Sequence, residues 1–196
     1  MPMVTLLDLS SVLDQKGVLQ QGAELTCNNG TARIEIAQGT KAFTNEGAPL
    51  GTIQVQPISD IPLPPADCHI IGLAYDFGPE GATFDPPLSI TLEYDPALCP
   101  EGVAEENLVI AYYDVETGKW VECECEVDIV NHIIIAHVSH FTLFAILAEA
   151  APLTPPLPLP TQISWSLIGG IIGAAVVVIG IGTYVIMRRR KPIPES

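Results

Sequence analysis

Short apolar runs separated by turn residues dominate the chain between Val18 and Leu147. Runs of this length are typical of β-strands, and no window in the region shows a convincing helical period. The pattern predicts nine strands, at 24–27, 32–37, 52–57, 69–76, 88–94, 108–113, 120–127, 132–138 and 142–148. Many strands at short spacing indicate an all-β fold, and we expect an antiparallel β-sandwich over residues 18–149.

Turn residues divide these runs where their chemistry predicts a reversal. The segments 28–30 (Asn-Asn-Gly) and 116–118 (Glu-Thr-Gly) supply residues that tolerate positive φ. The segment 76–79 (Asp-Phe-Gly-Pro) is expected to end a strand, because proline cannot donate to a strand ladder. Residues 29–31 (Asn-Gly-Thr) also form a glycosylation sequon, although a hairpin turn accounts for the same residues.

An apolar run without a charged residue extends over 165–187. At ~1.5 Å of rise per residue it spans a ~30 Å hydrocarbon core, so it predicts a single transmembrane helix in the lipid bilayer. Trp165 and Tyr184 lie near its ends, where amphipathic rings favour the membrane interface. Four basic residues follow at once: Arg188, Arg189, Arg190 and Lys191. The positive-inside rule therefore predicts a cytoplasmic tail at 188–196, with everything before residue 165 outside the cell.

The flanking segments complete the predicted organisation. Residues 150–161 contain five prolines in twelve positions, so 150–164 is interpreted as a semi-rigid stalk between domain and membrane. Residues 1–17 are a lead-in without the features of a signal peptide, so we expect either a longer protein or export directed by the membrane helix. Gly169 and Gly173 form a small-xxx-small face, which predicts a helix-mediated homodimer.

The charge is strongly acidic, with a formal net charge of -15. Before residue 165 the chain has only four basic residues, whereas it has all of the 23 acidic residues except Glu195. Such a surface repels nucleic acid and favours cations or basic partners. The sequence contains no phosphate-binding loop, nucleophile elbow or paired carboxylates in a recognisable cleft, so neither turnover of an external substrate nor a cofactor is expected.

Five cysteines raise the question of disulfides or metal. They are Cys27, Cys68, Cys99, Cys123 and Cys125. Cys123 and Cys125 are expected on one face of the strand 120–127, too far apart for an easy mutual bridge, so any disulfide from them would run to one of the other three. An odd number leaves at least one thiol free or paired with another chain.

Two metal hypotheses concern the same strand. The alternating acidic residues Glu122, Glu124, Glu126 and Asp128 are read as a solvated face, with calcium binding as the alternative. A Cys-x-Cys pair can form half of a zinc site, which is the second hypothesis, but the four histidines show no ligand spacing around it. They are His69, His132, His137 and His140.

The segment 76–96 contains a Gly-Pro-x-Gly turn (Gly78, Pro79, Gly81), then Phe84 and a proline-led strand. This order resembles the centre of the ZU-type domain of ankyrins, the zonula occludens scaffold and netrin receptors. The likeness covers roughly 22–147, and the arrangement is similar to β-domains of bacterial and archaeal surface proteins. One departure is the corner at 36–39, which is Ile-Ala-Gln-Gly and lacks the proline of the family's typical Ile-Pro-x-Gly.

The resemblance directs attention to Ser139-His140-Phe141-Thr142. In the p53-induced death-domain protein, ZU-type domains end in a self-cleaving Ser-His-Phe-Ser segment, which implies cleavage between Phe141 and Thr142 here. His140 would act as the base and Thr142 as the nucleophile in an N-to-O acyl shift. On one extended strand the two side chains would share a face, with Cα atoms ~7 Å apart.

The structural alternative treats 138–147 as the end of a core strand buried on both faces. His140 is then a capping residue at the edge of the sheet, and Thr142 bonds to a neighbouring backbone. Three functions follow as hypotheses. The first is a membrane-anchored module for adhesion, scaffolding or surface presentation. The second is a self-cleaving domain whose ectodomain is held without a covalent bond, and the third is a calcium- or metal-binding module.

Overall fold

The computed structural model describes residues 3–149. Within this part of the chain, no helix is both long enough and apolar enough to cross a membrane. The predicted stalk, membrane helix and tail lie outside the described residues, and with them Trp165, Gly169, Gly173, Tyr184, Arg188, Arg189, Arg190 and Lys191.

Two antiparallel sheets make up the described structure. The first has the spatial order β1 (Thr5–Asp8), β5 (Thr52–Ile58), β6 (Cys68–Gly78), β12 (Leu143–Glu149), β8 (Val109–Asp114) and β9 (Lys119–Glu122). The second has the order β10 (Cys125–Asp128), β11 (Ile133–His140), β7 (Thr83–Glu93), β3 (Ala32–Ile36) and β2 (Ala23–Thr26), and β4 (Lys41–Phe43) also pairs with β7. Two short 3₁₀-helices, Pro96–Leu98 and Glu105–Asn107, link β7 to β8. The all-β class is confirmed for the described residues.

The core lies between the sheets and is formed by alternate residues of their strands. Phe77, Ile110 and Phe144 contribute from the first sheet, while Ile34 and Ile90 contribute from the second, and all five are inaccessible to solvent. Strand β12 lies between β6 and β8 in the middle of the first sheet, and five consecutive residues, 144–148, are buried. The expectation of a closing strand buried on both faces is confirmed for β12.

Two strands expected to be continuous are each divided between the sheets. The segment 138–147 was expected to run as one strand, but β11 ends at His140 in the second sheet and β12 begins at Leu143 in the first. The expected strand 120–127 likewise separates into β9 and β10, which belong to different sheets. The prediction failed because side chains alternate with the same period on both sides of a crossing.

The turns show one further error and two successes. Strand β6 keeps its pairing with β5 through Phe77 and Gly78, so the ladder does not end at residue 76 as predicted. The reversal comes at 79–81 instead, after the last residue of the ladder. Gly30 and Gly118 both adopt positive φ in the turns predicted at 28–30 and 116–118. Strands β1 and β4, which the pattern did not predict, complete the sheets.

Candidate functional site

Residues 141–142 form the link by which the chain passes from β11 in the second sheet to β12 in the first. Phe141 fixes this link, because its side chain is 0% exposed and reaches the core between the sheets. Its ring centroid lies 4.5 Å from that of Phe84 and 5.8 Å from that of Phe77. Since these two rings come from β7 and β6, the Phe141 side chain contacts both sheets.

Backbone hydrogen bonds hold the same link against the turn after β6. The Phe141 amide donates to the carbonyl oxygen of Ala82 at 2.9 Å, and the Gly81 amide donates to the Phe141 carbonyl oxygen at 3.0 Å. The Phe77 amide donates to the carbonyl oxygen of Thr142 at 3.1 Å. The Gly-Pro-x-Gly turn and the His-Phe-Thr segment, separated by about sixty residues in the sequence, are therefore in direct contact.

Gly81, which the sequence marked only as part of the Gly-Pro-x-Gly turn, makes the contact with the Phe141 carbonyl oxygen. It has φ +74°, which L-residues with a side chain rarely adopt, and a Cβ placed on it would lie 3.1 Å from Cβ of Asn45. The positive φ of Gly81 thus lets the chain reverse direction with the Gly81 amide close to the Phe141 carbonyl oxygen. The family resemblance placed both motifs in one domain, but it contained no information on their contact.

His140 ends β11 and is half-buried beside aromatic rings. Its imidazole meets the Tyr112 ring edge-on, with centroids 4.8 Å apart, and lies 6.5 Å from the Phe144 ring. Burial lowers the pKa of His140 because the charged form loses hydration, and the nearby Asp114 carboxylate opposes this only in part. Burial therefore favours the neutral imidazole, which is the form that can accept a proton.

Thr142 is held away from His140 by a different partner. Its hydroxyl is largely buried and donates to the carbonyl oxygen of Tyr113 on β8 at 3.1 Å. No hydrogen bond joins the side chains of His140 and Thr142 in the part of the chain that the structure describes. The expectation that both lie on one face of one strand is wrong, because the chain crosses between the sheets at this point. The expected bond from Thr142 to a neighbouring backbone is confirmed.

The arrangement has one of the elements that an N-to-O acyl shift requires, because a backbone N–H is bonded to the carbonyl oxygen that would become negative. The His140 imidazole packs against Tyr112 and Phe144. A hydroxyl directed at the carbonyl carbon needs the Thr142 side chain to leave the Tyr113 oxygen. In the observed rotamer the Thr142 hydroxyl instead hydrogen-bonds the link at 141–142 to β8.

All five cysteines are free thiols in the structure. Burial raises the pKa of Cys123 to about 11, with a smaller contribution from Cys125. Both are half-buried and packed against the core, while Glu122, Glu124 and Glu126 are exposed, so the predicted alternation holds although the strand is divided. Among residues 3–149, no three His, Cys, Asp or Glu side chains are grouped to hold a metal ion.

No family model and no curated protein matches this chain. The likeness to a ZU-type domain therefore stays a prediction from residues 76–96 and 139–142.

Proposed function

We propose that the chain is a membrane-anchored, non-enzymatic surface module whose acidic β-sandwich serves adhesion, scaffolding or presentation outside the cell. The observation that carries this proposal is the position of β12. The strand that precedes the proline-rich stalk lies at the centre of the first sheet, between β6 and β8. An anchor attached there holds the domain by its best-supported strand.

The support for β12 comes from both sides and both faces. It pairs with β6 from Leu143 to Glu149 and with β8 from Phe144 to Leu147. Both ladders are antiparallel, so a pull along the strand must break many hydrogen bonds and expose a row of buried apolar side chains. A load that enters at the stalk would be shared across the sheet, which suits a module tethered to a surface.

The anchoring is tested by expressing the full chain in cells. We expect it to remain in membranes after alkaline extraction, and we expect protease added outside to digest the domain. Val177→Arg with Ile179→Arg should release the chain, because each arginine near the centre of a membrane helix costs ~2.5–3.5 kcal/mol. Val177→Leu with Ile179→Leu is the matched control and should stay in the membrane. Extraction of the unmodified chain by alkali would refute the proposal.

A second candidate function, self-cleavage between Phe141 and Thr142, is favoured by one observation. The Gly81 amide is hydrogen-bonded to the carbonyl oxygen of Phe141, where negative charge would develop. In the reaction the Thr142 hydroxyl attacks the Phe141 carbonyl carbon, and His140 transfers the hydroxyl proton to the leaving amide nitrogen. The peptide C–N bond breaks and an ester forms. Water then hydrolyses the ester to a Phe141 carboxylate and a free Thr142 hydroxyl.

The structure of β12 gives this reaction a specific consequence. After cleavage the anchor would carry β12, which remains hydrogen-bonded to β6 and β8. The domain would then be attached to its anchor by a sheet instead of a covalent bond, and load could separate the two.

A denaturing gel and intact-mass measurement of the purified chain test self-cleavage. Two fragments that meet between Phe141 and Thr142 are expected, and Thr142→Ala should abolish them. Thr142→Ser should retain them, because it keeps the hydroxyl. Thr117→Ala, in the turn between β8 and β9, is the matched control. A single full-length mass that Thr142→Ala leaves unchanged would exclude cleavage without affecting the anchoring proposal.

A further inference from the structure

We call the link between β5 and β6, residues 59–67 (Ser-Asp-Ile-Pro-Leu-Pro-Pro-Ala-Asp), the strap. Its contact with Trp120 on β9 indicates that it crosses one face of the first sheet. The residue before it, Ile58, pairs with Ala74 of β6. Midway along the strap, the Leu63 carbonyl oxygen accepts a hydrogen bond from the indole nitrogen of Trp120 on β9 at 3.1 Å. The strap then returns to β6 at Cys68.

The length of the strap fits a fully extended crossing. Strands β6, β12 and β8 separate β5 from β9, so four inter-strand spacings of ~4.8 Å, or ~19 Å, lie between Ile58 and Trp120. Five residues of polyproline II helix at ~3.1 Å each span ~15 Å, and the Trp120 side chain covers the remaining distance to the Leu63 carbonyl oxygen. Three prolines in the strap favour this conformation, whose carbonyl groups have no internal hydrogen bonds and are available to a donor.

The receiving surface is apolar and carries an aromatic pair. Tyr113 and Trp120 are directly opposite each other on β8 and β9, with ring centroids 5.5 Å apart. Beside them, four buried residues stand apart from the core cluster between the sheets: Ala74, Ala111, Ala145 and Leu147. Their strand neighbours Tyr75, Ile110 and Phe144 belong to that core cluster, so these four face outward, towards the side crossed by the strap.

We propose that the Tyr113–Trp120 pair is a recognition site for extended proline–leucine segments, filled in the free chain by the strap and, when the strap leaves, by residues 152–160 of a second copy. Aromatic side chains that hold a polyproline II segment, with an indole N–H bonded to one of its carbonyls, form a recurrent mode of peptide recognition. The proposal does not depend on membrane anchoring or on self-cleavage.

The sequence of the chain indicates the second occupant. Residues 61–65 of the strap read Ile-Pro-Leu-Pro-Pro, and residues 155–160 read Pro-Pro-Leu-Pro-Leu-Pro. The strap fills the site incompletely, since its Leu63 side chain is 89% exposed. It also carries Asp60 and Asp67 on an already acidic domain, whereas residues 150–161 are uncharged. The competing segment, residues 152–160, therefore repeats the Pro-Leu-Pro sequence of the strap, with three leucines and without charge repulsion.

Peptide binding to the full chain in detergent micelles tests the site. Trp165→Phe leaves Trp120 as the sole indole of the chain, so its emission reports on the site alone. The probe is a synthetic peptide with the sequence of residues 150–161. Pro62→Gly with Pro64→Gly increases the conformational entropy of the detached strap, so the strap should leave the site more often. The peptide then meets less competition, and its Kd should fall by about tenfold. Pro100→Gly, outside the strap, is the matched control and should leave the Kd unchanged.

Specificity is tested with a second peptide in which serine replaces the three leucines. The proposal is overturned if the peptide of residues 150–161 causes no saturable emission change in the Trp165→Phe chain, with or without the loosened strap. It is also overturned if loosening the strap leaves the Kd unchanged, or if the serine peptide binds as tightly as the peptide with leucines. Circular dichroism of each variant establishes that it is folded.

A sedimentation measurement tests the assignment to a second copy. In the loosened-strap chain, Leu157→Ser with Leu159→Ser should reduce self-association. Both chains retain the predicted membrane helix, so any pairing of helices is common to the two. Equal self-association would overturn the second copy as the occupant.

Discussion

Replacement of Phe141 by alanine provides the most direct test of how the two sheets are joined. Phe141 is the single aromatic side chain of the two-residue link, it is fully buried, and it contacts Phe77 and Phe84 from β6 and β7. Removal of a buried phenylalanine side chain typically costs ~3–5 kcal/mol, because the apolar contact is lost and a cavity remains. Domains of this size have a total stability of ~5–15 kcal/mol. Phe141→Ala should therefore remove a large part of the stability.

The assay is equilibrium unfolding in urea, followed by circular dichroism, with thermal unfolding alongside it. At ~2–4 °C per kcal/mol, Phe141→Ala should lower Tm by about 6–20 °C. Phe43→Ala is the matched control, because Phe43 is only half-buried, and its effect should be smaller. A double-mutant cycle with Phe84→Ala should give a coupling of ~0.5–1.5 kcal/mol, as expected for a contacting aromatic pair. A loss below about 1 kcal/mol for Phe141→Ala would refute the reasoning.

Three further predictions concern titratable groups. Because burial lowers the folded-state pKa of His140 below its usual 6.5, the unfolded chain binds this proton more tightly, and stability should fall as the pH decreases through 6.5. His140→Gln should flatten that part of the pH profile, as equilibrium unfolding at a series of pH values can measure. Burial and Glu80 raise the pKa of Asp76, so Asp76→Asn should increase Tm at pH 7, and the gain should disappear near pH 3, where the carboxyl is neutral in both states. Because burial raises the pKa of Cys123 to about 11, less of this thiol is ionised at pH 8, and iodoacetamide should alkylate it at least about tenfold more slowly than free cysteine, as mass spectrometry can determine.

The candidate site shows where sequence information ends. The residue types of His140 and Thr142 marked the segment, and the alternation in 142–148 indicated a buried strand, which β12 confirms. Nothing local predicted that Gly81 would donate to the Phe141 carbonyl, or that Thr142 would bond to Tyr113. These contacts join residues far apart in the chain, and a hydrogen-bond donor in a turn can serve any acceptor that the fold brings to it.

The sequence by itself determined the all-β class, the central buried strand and the turns at Gly30 and Gly118, because each follows from local alternation or from backbone conformations that few residues adopt. Only the tertiary structure decided that the chain changes sheets at 141–142 and again at 123–124. Side-chain alternation has a period of two on either side of such a crossing, so it does not reveal which sheet supplies the hydrogen-bond partners. The crossing at 141–142 removed His140 and Thr142 from a common strand face and placed the Phe141 carbonyl against the turn at Gly81.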